Sequence, residues 1–291
     1  PITENLRDYQ ANWHVYVMSH SLMELYEGQT KRLIVNAPPR SLKTSTCTTF
    51  FIAWLLGKDP TLQIILATYT DEFAENLGNK IRTLLCHSEY KRLFGDTRLL
   101  YEQAKSTRLR TQKGGSVVVT SFHSMMTGLG ADYIIVDDPM QANEVRSETK
   151  MTDIKNRFKE GLYTRLNDPK TGRILLVMQR IHPDDLTGML LTHGGFKHLK
   201  LPIQFQEEVT YSLPFNKTYK THVGEFLDPA RFDEAELART REMQGEAAFA
   251  AQYMQDPTSE EGAIIKREWW VDYDKETLPK LEHVIQSYDT A

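Results

Sequence analysis

Residues 32–45, RLIVNAPPRSLKTS, join a short apolar run to a loop that ends in Lys-Thr-Ser. The run from 32 to 37 is rich in Ile, Leu and Val and predicts a buried strand. Residues 46–56, which follow the loop, carry apolar side chains at helical spacing, and Gly57 provides a stop. The sequence therefore predicts a strand, a loop and a helix in direct succession.

This succession is the context of a phosphate-binding loop, whose usual pattern is G-x-x-x-x-G-K-[ST]. Lys43 and Thr44 occupy their positions in the pattern, whereas Ala37 and Leu42 replace both glycines. In such a loop the lysine contacts the β- and γ-phosphates and the hydroxyl ligates Mg²⁺. The alternative interpretation is a strand-turn-helix with a solvated lysine.

Backbone N–H groups and the helix N-terminus would hold the phosphates of the nucleotide. Arg40 adds a second cation that could reach the γ-phosphate. The candidate nucleotide-binding residues of the loop are Pro39, Arg40, Ser41, Leu42, Lys43, Thr44 and Ser45.

A second motif, YIIVDDP at 133–139, is an apolar strand that ends in two acids. Asp137 would hold Mg²⁺, and Asp138 lies where many ATPases place a glutamate that activates the attacking water. Because aspartate is one methylene shorter, the water would sit closer, or Glu144 or Glu148 would serve instead. An acidic strand end that caps a loop is the alternative.

Further apolar runs at 62–69, 116–122 and 173–179 predict strands, and 71–86 predicts an amphipathic helix with acids in its first turn. Continuous Ile/Leu/Val runs separated by helices favour a parallel sheet covered on both faces. We therefore predict an α/β fold with a doubly wound, mainly parallel sheet. The pattern becomes polar after residue 195, with one helix predicted from 233 to about 254.

The composition bounds the function. The 291 residues are 40% hydrophobic, which is enough for a large core. The net charge of -4 excludes a globally basic surface, so that any contact with nucleic acid must be local. Two cysteines give no disulfide framework and indicate a reduced cytosolic chain, and no apolar run is long enough to span a membrane.

Five motifs in this order, NAPPRSLKTS, YIIVDDP, LVMQRIHPDDLTG, AFAAQYMQDP and QSYDTA, resemble the large terminase subunit of tailed double-stranded DNA phages and prophages. The resemblance implies a P-loop ATPase of the ASCE class with a small lid subdomain, followed by an RNase H-like nuclease. Such a protein docks as a ring on the capsid portal and drives DNA into the procapsid.

The resemblance also implies roles for individual residues. Gln179 ends a strand whose polar residue senses the γ-phosphate in the family, and a strand-end Gln-Arg pair that faces solvent is the alternative. Trp13 and His14 lie in the region that builds part of the adenine pocket, although a core tryptophan with a surface histidine is equally compatible. Asp289 resembles the first metal-binding carboxylate of the nuclease. Leu129 departs from the family because similar terminases often carry arginine there.

An arginine from a neighbouring subunit can stabilise the charge that develops during phosphoryl transfer. Arg146, Arg157 and Arg165 follow the acidic strand on a helix-like stretch, and any of them could face the next subunit. We name Arg146 as the candidate in trans and Arg40 as the candidate in cis. A solvated helix face is the alternative for each. Contacts of a translocating motor with DNA would be to phosphates. The densest basic cluster, on a predicted hairpin, is Lys105, Arg108, Arg110 and Lys113. A solvated hairpin is the alternative for this cluster.

From the resemblance we expect an ATPase core at 1–195, a lid at 196–262, and a linker with the first nuclease strand at 263–291. The expected cofactors are ATP and Mg²⁺. The expected partners are double-stranded DNA, the portal protein and the small terminase subunit, in the cytoplasm of the bacterial host. We expect a ring when assembled, a monomer in isolation, and no nuclease activity because the other carboxylates are missing. The alternatives are a helicase-like ATPase and a docking module that binds nucleotide without hydrolysis.

Overall fold

The computed structural model describes residues 12–100, 105–124, 128–144 and 147–258. These residues form a seven-stranded sheet in the order β3-β4-β2-β5-β6-β1-β7, and a separate two-stranded hairpin, β8-β9. The strands are β1 (Arg32–Asn36), β2 (Gln63–Thr68), β3 (Arg108–Arg110), β4 (Ser116–Ser121), β5 (Tyr133–Asp137), β6 (Arg173–Met178), β7 (Lys197–Lys200), β8 (Thr210–Leu213) and β9 (Lys217–Lys220).

All neighbours in the large sheet are parallel except β3, which pairs antiparallel with β4. Strand β6 lies between β1 and β5, with Ile34 opposite Leu176 and Ile135 opposite Leu175. The carboxyl ends of these three strands therefore meet at one edge. Parallel strands are buried on both faces, which explains their continuous apolar runs. The predicted mainly parallel α/β sheet is confirmed.

Helices cover both faces of the sheet. The α-helices are α1 (Trp13–Glu27), α2 (Phe51–Lys58), α3 (Asp71–Cys86), α4 (Ser88–Leu93), α5 (Glu148–Asn156), α6 (Leu186–His193), α7 (Glu234–Gln244) and α8 (Glu246–Gln252). Successive strand residues point to opposite faces. Leu33 and Val35 pack with α1, α2 and α3, whereas Ile34 packs with α5 and α6. Within the described ranges, no helix combines the length and the apolar character needed to cross a membrane.

The segment after α6 is divided between the large sheet and smaller elements. Strand β7 pairs with β1 in the large sheet, so the predicted boundary at residue 196 lies immediately before a core strand. The single helix predicted from 233 to 254 is wrong: Gly245, at φ +81°, separates α7 from α8. The division into core and lid stays a prediction, and the whole segment predicted as linker and nuclease strand, 263–291, lies outside the described residues.

The predicted basic hairpin is present. Arg108 pairs with Val118 and Arg110 with Ser116, and both arginines are exposed. The hairpin places their side chains on the same side of a short strand, since residues two apart share a face.

Gly78 permits close contact between α3 and the segment before β3. A Cβ atom added at Gly78 would lie 2.2 Å from the carbonyl oxygen of Ser106. We expect Gly78→Ala to lower the free energy of unfolding by ~1–3 kcal/mol, because this overlap outweighs the gain in helix propensity. Urea denaturation measures the change. Gly95→Ala is the control, since a Cβ there meets nothing within 4 Å; equal stability of the two variants would contradict the prediction.

Candidate functional site

The carboxyl ends of β1 and β5 bring the two sequence motifs together. Thr44 Oγ1 donates to Asp137 Oδ1 over 3.1 Å. Lys43 Nζ lies 3.1 Å from Asp138 Oδ2 in an ion pair whose lysine side chain is 8% exposed. Four predicted residues from segments about ninety positions apart therefore form one cluster.

The loop adopts backbone conformations that usually require glycine. Arg40 and Leu42 have φ values of +60° and +63°. Leu42 occupies the second glycine position of the motif, and a left-handed conformation costs a residue with a Cβ atom ~1–2 kcal/mol. The Ser41 hydroxyl donates to the carbonyl of Pro38 over 2.7 Å and closes the loop entry. The missing glycines have thus not removed the left-handed geometry.

The helix that follows the loop begins with π-helical turns, from Thr44 to Phe50, and continues as α2. The wider turn follows directly on Lys43. Such π-helical turns often occur at functional sites. Sequence periodicity predicted the helix here but gave no sign of its π-helical start.

Asp137 is buried beneath the loop. Burial, followed by the neighbouring Asp138 carboxylate, raises the pKa of Asp137. Its Oδ2 atom is buried and has no hydrogen-bond partner among the described residues. A buried carboxylate oxygen without a partner is costly unless a further group satisfies it.

Asp138 is held from two sides. Besides the Lys43 ion pair, its Oδ1 accepts a hydrogen bond from the backbone N–H of Gln179 over 3.2 Å. Its φ of +42° is left-handed, a conformation that aspartate and asparagine tolerate better than most residues. The order of the strands explains the contact, since β6 lies directly beside β5. The structure therefore brings Gln179 to the acidic pair, with its side-chain Oε1 buried and without a partner among the described residues.

The turn after Gln179 is built around a buried ion pair. Arg180 is 8% exposed, and its Nε lies 2.9 Å from Asp185 Oδ2. Asp185 also caps α6 by accepting from Gly188 N over 2.9 Å. The alternative interpretation, a strand-end pair that faces solvent, is wrong for Arg180. The capping of α6 by Asp185 explains why an acid occurs in this turn.

Trp13 and His14 differ in their surroundings. Trp13 stacks on Tyr219 of β9, with ring centroids 4.3 Å apart, and also contacts Phe205 and Tyr211. His14 is fully buried, so the alternative of a surface histidine is wrong. Its Nε2 donates to the carbonyl of Ser41 over 3.3 Å, while its Nδ1 is buried and has no partner among the described residues. Burial lowers the pKa of His14.

The arginine candidates lie in different settings. Arg40 is exposed at the loop. Arg157 pairs with Asp153 over 2.7 Å and donates to the carbonyl of Phe122, while Arg165 donates to the carbonyl of Gly161. Arg146 and Asp289 lie outside the described residues.

Sequence reasoning missed a polar network beneath the loop. Asn36, the last residue of β1, donates to the carbonyl of Met178 and to the Thr187 hydroxyl. His198 Nε2 donates to Asn36 Oδ1 over 2.7 Å. The network joins the end of β1 to the end of β6, to α6 and to β7. A polar residue that ends an apolar strand was the available signal at Asn36, but its partners are distant in sequence.

The burial of His198 beside Asn36 predicts that the free energy of unfolding depends on pH. Burial, then the positive charges of Arg180 and Lys200, lower the pKa of His198 from 6.5 to about 4. Between pH 4 and 6.5 the unfolded chain therefore binds more protons than the folded chain. We expect the contribution of His198 to be fully present above pH 6.5 and to be lost as the pH falls toward 4.

Denaturation at a series of pH values tests this expectation. His198→Gln should reduce the rise in unfolding free energy over that window by on the order of 2 kcal/mol. His193→Gln, at an exposed position at the end of α6, should leave the rise unchanged. Identical pH profiles for wild type and His198→Gln would contradict it.

Comparison with known proteins places these observations among relatives. No family model matches the chain. The chain is 26% identical over 255 residues to the terminase large subunit of Enterobacteria phage T3, a match that covers 80% of this chain and 42% of the relative. The chain thus spans less than half the length of that relative.

Solved structures share the fold. The ATPase domain of the Thermus phage P74-26 large terminase, in a mutant form, gives a TM-score of 0.54 at 13% identity, covering 85% of this chain and 99% of that chain. The HK97 bacteriophage large terminase gives 0.51 at 11% identity, covering 86% of this chain and 51% of that chain. At these identities the likeness concerns the fold. Together with the sequence match, it confirms the resemblance to large terminase subunits that the motifs predicted.

Proposed function

We propose that this chain is the ATP-hydrolysing motor part of a large terminase, which drives double-stranded DNA into a procapsid. The observation that carries the proposal is the cluster in which Lys43 pairs with Asp138 and Thr44 with Asp137. A loop lysine, a loop hydroxyl and two strand-end carboxylates are the groups that P-loop enzymes use to position a nucleoside triphosphate.

The residues of the cluster fit a nucleotide with its metal ion. Loop N–H groups and the Lys43 ammonium would bind phosphate oxygens, with the exposed Arg40 as a further cation. Thr44 and Asp137 would hold Mg²⁺, and the buried Asp137 Oδ2, which has no partner among the described residues, is an oxygen of the kind this ion takes. The bound ion would neutralise charge on the phosphates.

Asp138 is the proposed base that activates the attacking water. In this structure its carboxylate accepts from Lys43 and from the N–H of Gln179. Phosphate binding by Lys43 would release one carboxylate oxygen to accept a proton from water. Gln179, through its side-chain amide, is the proposed sensor of the γ-phosphate, since its Oε1 has no partner among the described residues.

For the adenine ring of ATP, we propose a binding site at the start of α1. His14 contributes a buried Nδ1 that is without a partner in the described part of the chain. Trp13 would have to exchange its contact with Tyr219 to stack on a base. A largely apolar cavity of about 380 Å³ lies between α1 and the helix that follows the loop, and its lining on α1 begins at Val15, the residue after His14. Leu42, Ser45 and Thr46 line it, so that a base in this cavity would lie close to the loop.

The proposed partners are double-stranded DNA, the portal protein and the small terminase subunit, and the proposed setting is a homo-oligomeric ring in the cytoplasm of the bacterial host. The phage T3 relative is named as a terminase large subunit, which supports this assignment. The exposed Arg108 and Arg110 are the proposed contacts to DNA phosphates. Arg146 remains the proposed arginine in trans, and Asp289 the proposed first carboxylate of a nuclease site.

The first experiment is a titration of the chain with a fluorescent ATP analogue and Mg²⁺, followed by hydrolysis assays with and without duplex DNA. We expect saturable binding and hydrolysis that DNA stimulates. Binding with no hydrolysis, either with or without DNA, would favour the docking module. Strand separation in solution would favour a helicase. Absence of binding would contradict the proposal.

A further inference from the structure

We infer that Gln255 is a positioning residue that links the nucleotide site to the turn after α8. The inference rests on the proposed ATPase function and adds a residue that lies outside the phosphate loop and the acidic strand. Its role would be to keep the end of β6 in register with the turn after α8.

The first support is a buried contact between distant segments. The Oε1 atom of Gln255 accepts from the backbone N–H of Arg180 over 2.9 Å, across 75 residues of sequence. The side-chain amide donates to the carbonyl of Gln252, so both ends of the amide are engaged. Gln255 is 1% exposed. A buried amide with both ends satisfied fixes the geometry of the groups it joins, because leaving either end unsatisfied is costly.

The second support is the backbone of Gln255 itself. Its φ of +56° is left-handed, which is unfavourable for a residue with a long side chain. Such strain persists where surrounding contacts hold it, and it is frequent at functional and switch regions. Here the conformation directs the side chain toward β6 rather than toward solvent.

The third support is the position of Arg180. Two successive backbone N–H groups point to two different partners: that of Gln179 to Asp138, and that of Arg180 to Gln255. Any shift of Asp138 that accompanies release of Lys43 would therefore act on the peptide group next to the one that Gln255 holds. The state of the phosphates would thus reach the turn after α8, in which Gln255 lies.

Hydrogen exchange measured with Mg²⁺ and ATPγS tests the link. In the wild-type chain we expect slower amide exchange in two places, the phosphate loop at 38–45 and the segment 249–256, which holds the end of α8 and the turn after it. In Gln255→Leu we expect protection of the loop but not of the turn. Gln255→Glu retains an acceptor oxygen for Arg180 but loses the donor to the Gln252 carbonyl, and should restore protection of the turn in part.

Steady-state kinetics give a second readout that a purely structural role would not move. We expect Gln255→Leu to lower kcat about tenfold, with the KM for ATP unchanged within about twofold, because Gln179 loses its position while phosphate binding is retained. Gln252→Leu is the matched control in the same turn, since Gln252 contributes only its backbone carbonyl to the contact with Gln255. It should behave as wild type in both experiments.

The outcomes separate this inference from the proposed function. Loop protection alone reports nucleotide binding, so its absence in the wild type would overturn the proposed function and this inference with it. Loop protection without protection of the turn, or equal protection of the turn in wild type and Gln255→Leu, would overturn the inference alone. A Gln255→Leu variant with a lower melting temperature but unchanged kcat would also overturn it.

Discussion

Lys43→Ala is expected to weaken binding of Mg²⁺–ATP by about 100-fold or more, because the variant loses the charge-assisted contact between the ammonium and the phosphates. The side chain is 8% exposed and already points at the acidic strand, where it lies 3.1 Å from Asp138. A buried ammonium interacts with phosphate more strongly than one in bulk water does. Fluorescence titration with an ATP analogue measures the loss directly.

Two further variants keep this experiment interpretable. Lys43→Met retains most of the length and apolar volume of the side chain and should fail to bind in the same way. Lys58→Ala removes an exposed positive charge from the last turn of α2 and should bind as the wild type does. Thermal unfolding of each variant checks the fold, since loss of Lys43 leaves Asp138 without its ion pair. Wild-type affinity in Lys43→Ala would exclude the loop as the phosphate site.

Asp138→Asn is expected to reduce kcat for ATP hydrolysis by about a thousandfold, within the range that general bases contribute. Binding of ATP should become tighter, not weaker. The ion pair that competes with the phosphates for Lys43 would be lost, together with one negative charge next to the nucleotide. Asparagine tolerates the left-handed backbone at φ +42°, so the substitution changes the charge and leaves the turn intact.

Glu144→Gln is the matched control for the assignment of the base. The Glu144 carboxylate forms an ion pair with Lys150, and it follows the acidic strand closely in sequence. Turnover close to that of the wild type is expected in this variant. Loss of turnover in Glu144→Gln combined with normal turnover in Asp138→Asn would transfer the role of the base to Glu144. Measurement of both kcat and the dissociation constant is required, because the Asp138→Asn prediction has opposite signs for the two.

The fold was predictable where local pattern and burial agree. The bounds predicted for α3 match the structure, and β5 begins at the first residue of the predicted motif, because α3 has a capped amphipathic pattern and β5 is apolar on both faces. The interruption of the helix after residue 233 was not predicted, although Gly245 in the sequence was a signal for it. A glycine inside a helical pattern is compatible with either a continuous or a broken helix, and tertiary contacts decide between them.

The candidate site divides along the same line. Lys43, Thr44, Asp137 and Asp138 were predictable because their motifs lie on elements whose carboxyl ends must meet in a parallel sheet. The left-handed conformation of Leu42 was not predictable, because glycine is the residue that usually indicates such a conformation in a sequence. The stacking of Trp13 on Tyr219 and the contact of Gln255 with Arg180 depend on how distant segments pack, which no local pattern encodes.

The two outer strands of the large sheet are short and basic. Among the described residues, β3 is Arg-Leu-Arg at one edge, and β7 begins and ends with lysine at the other. Open strand edges invite pairing with further chains, and brief strands that carry positive charge resist it because like charges would be brought together. Edge-to-edge pairing of the large sheets of two copies is therefore disfavoured at both edges.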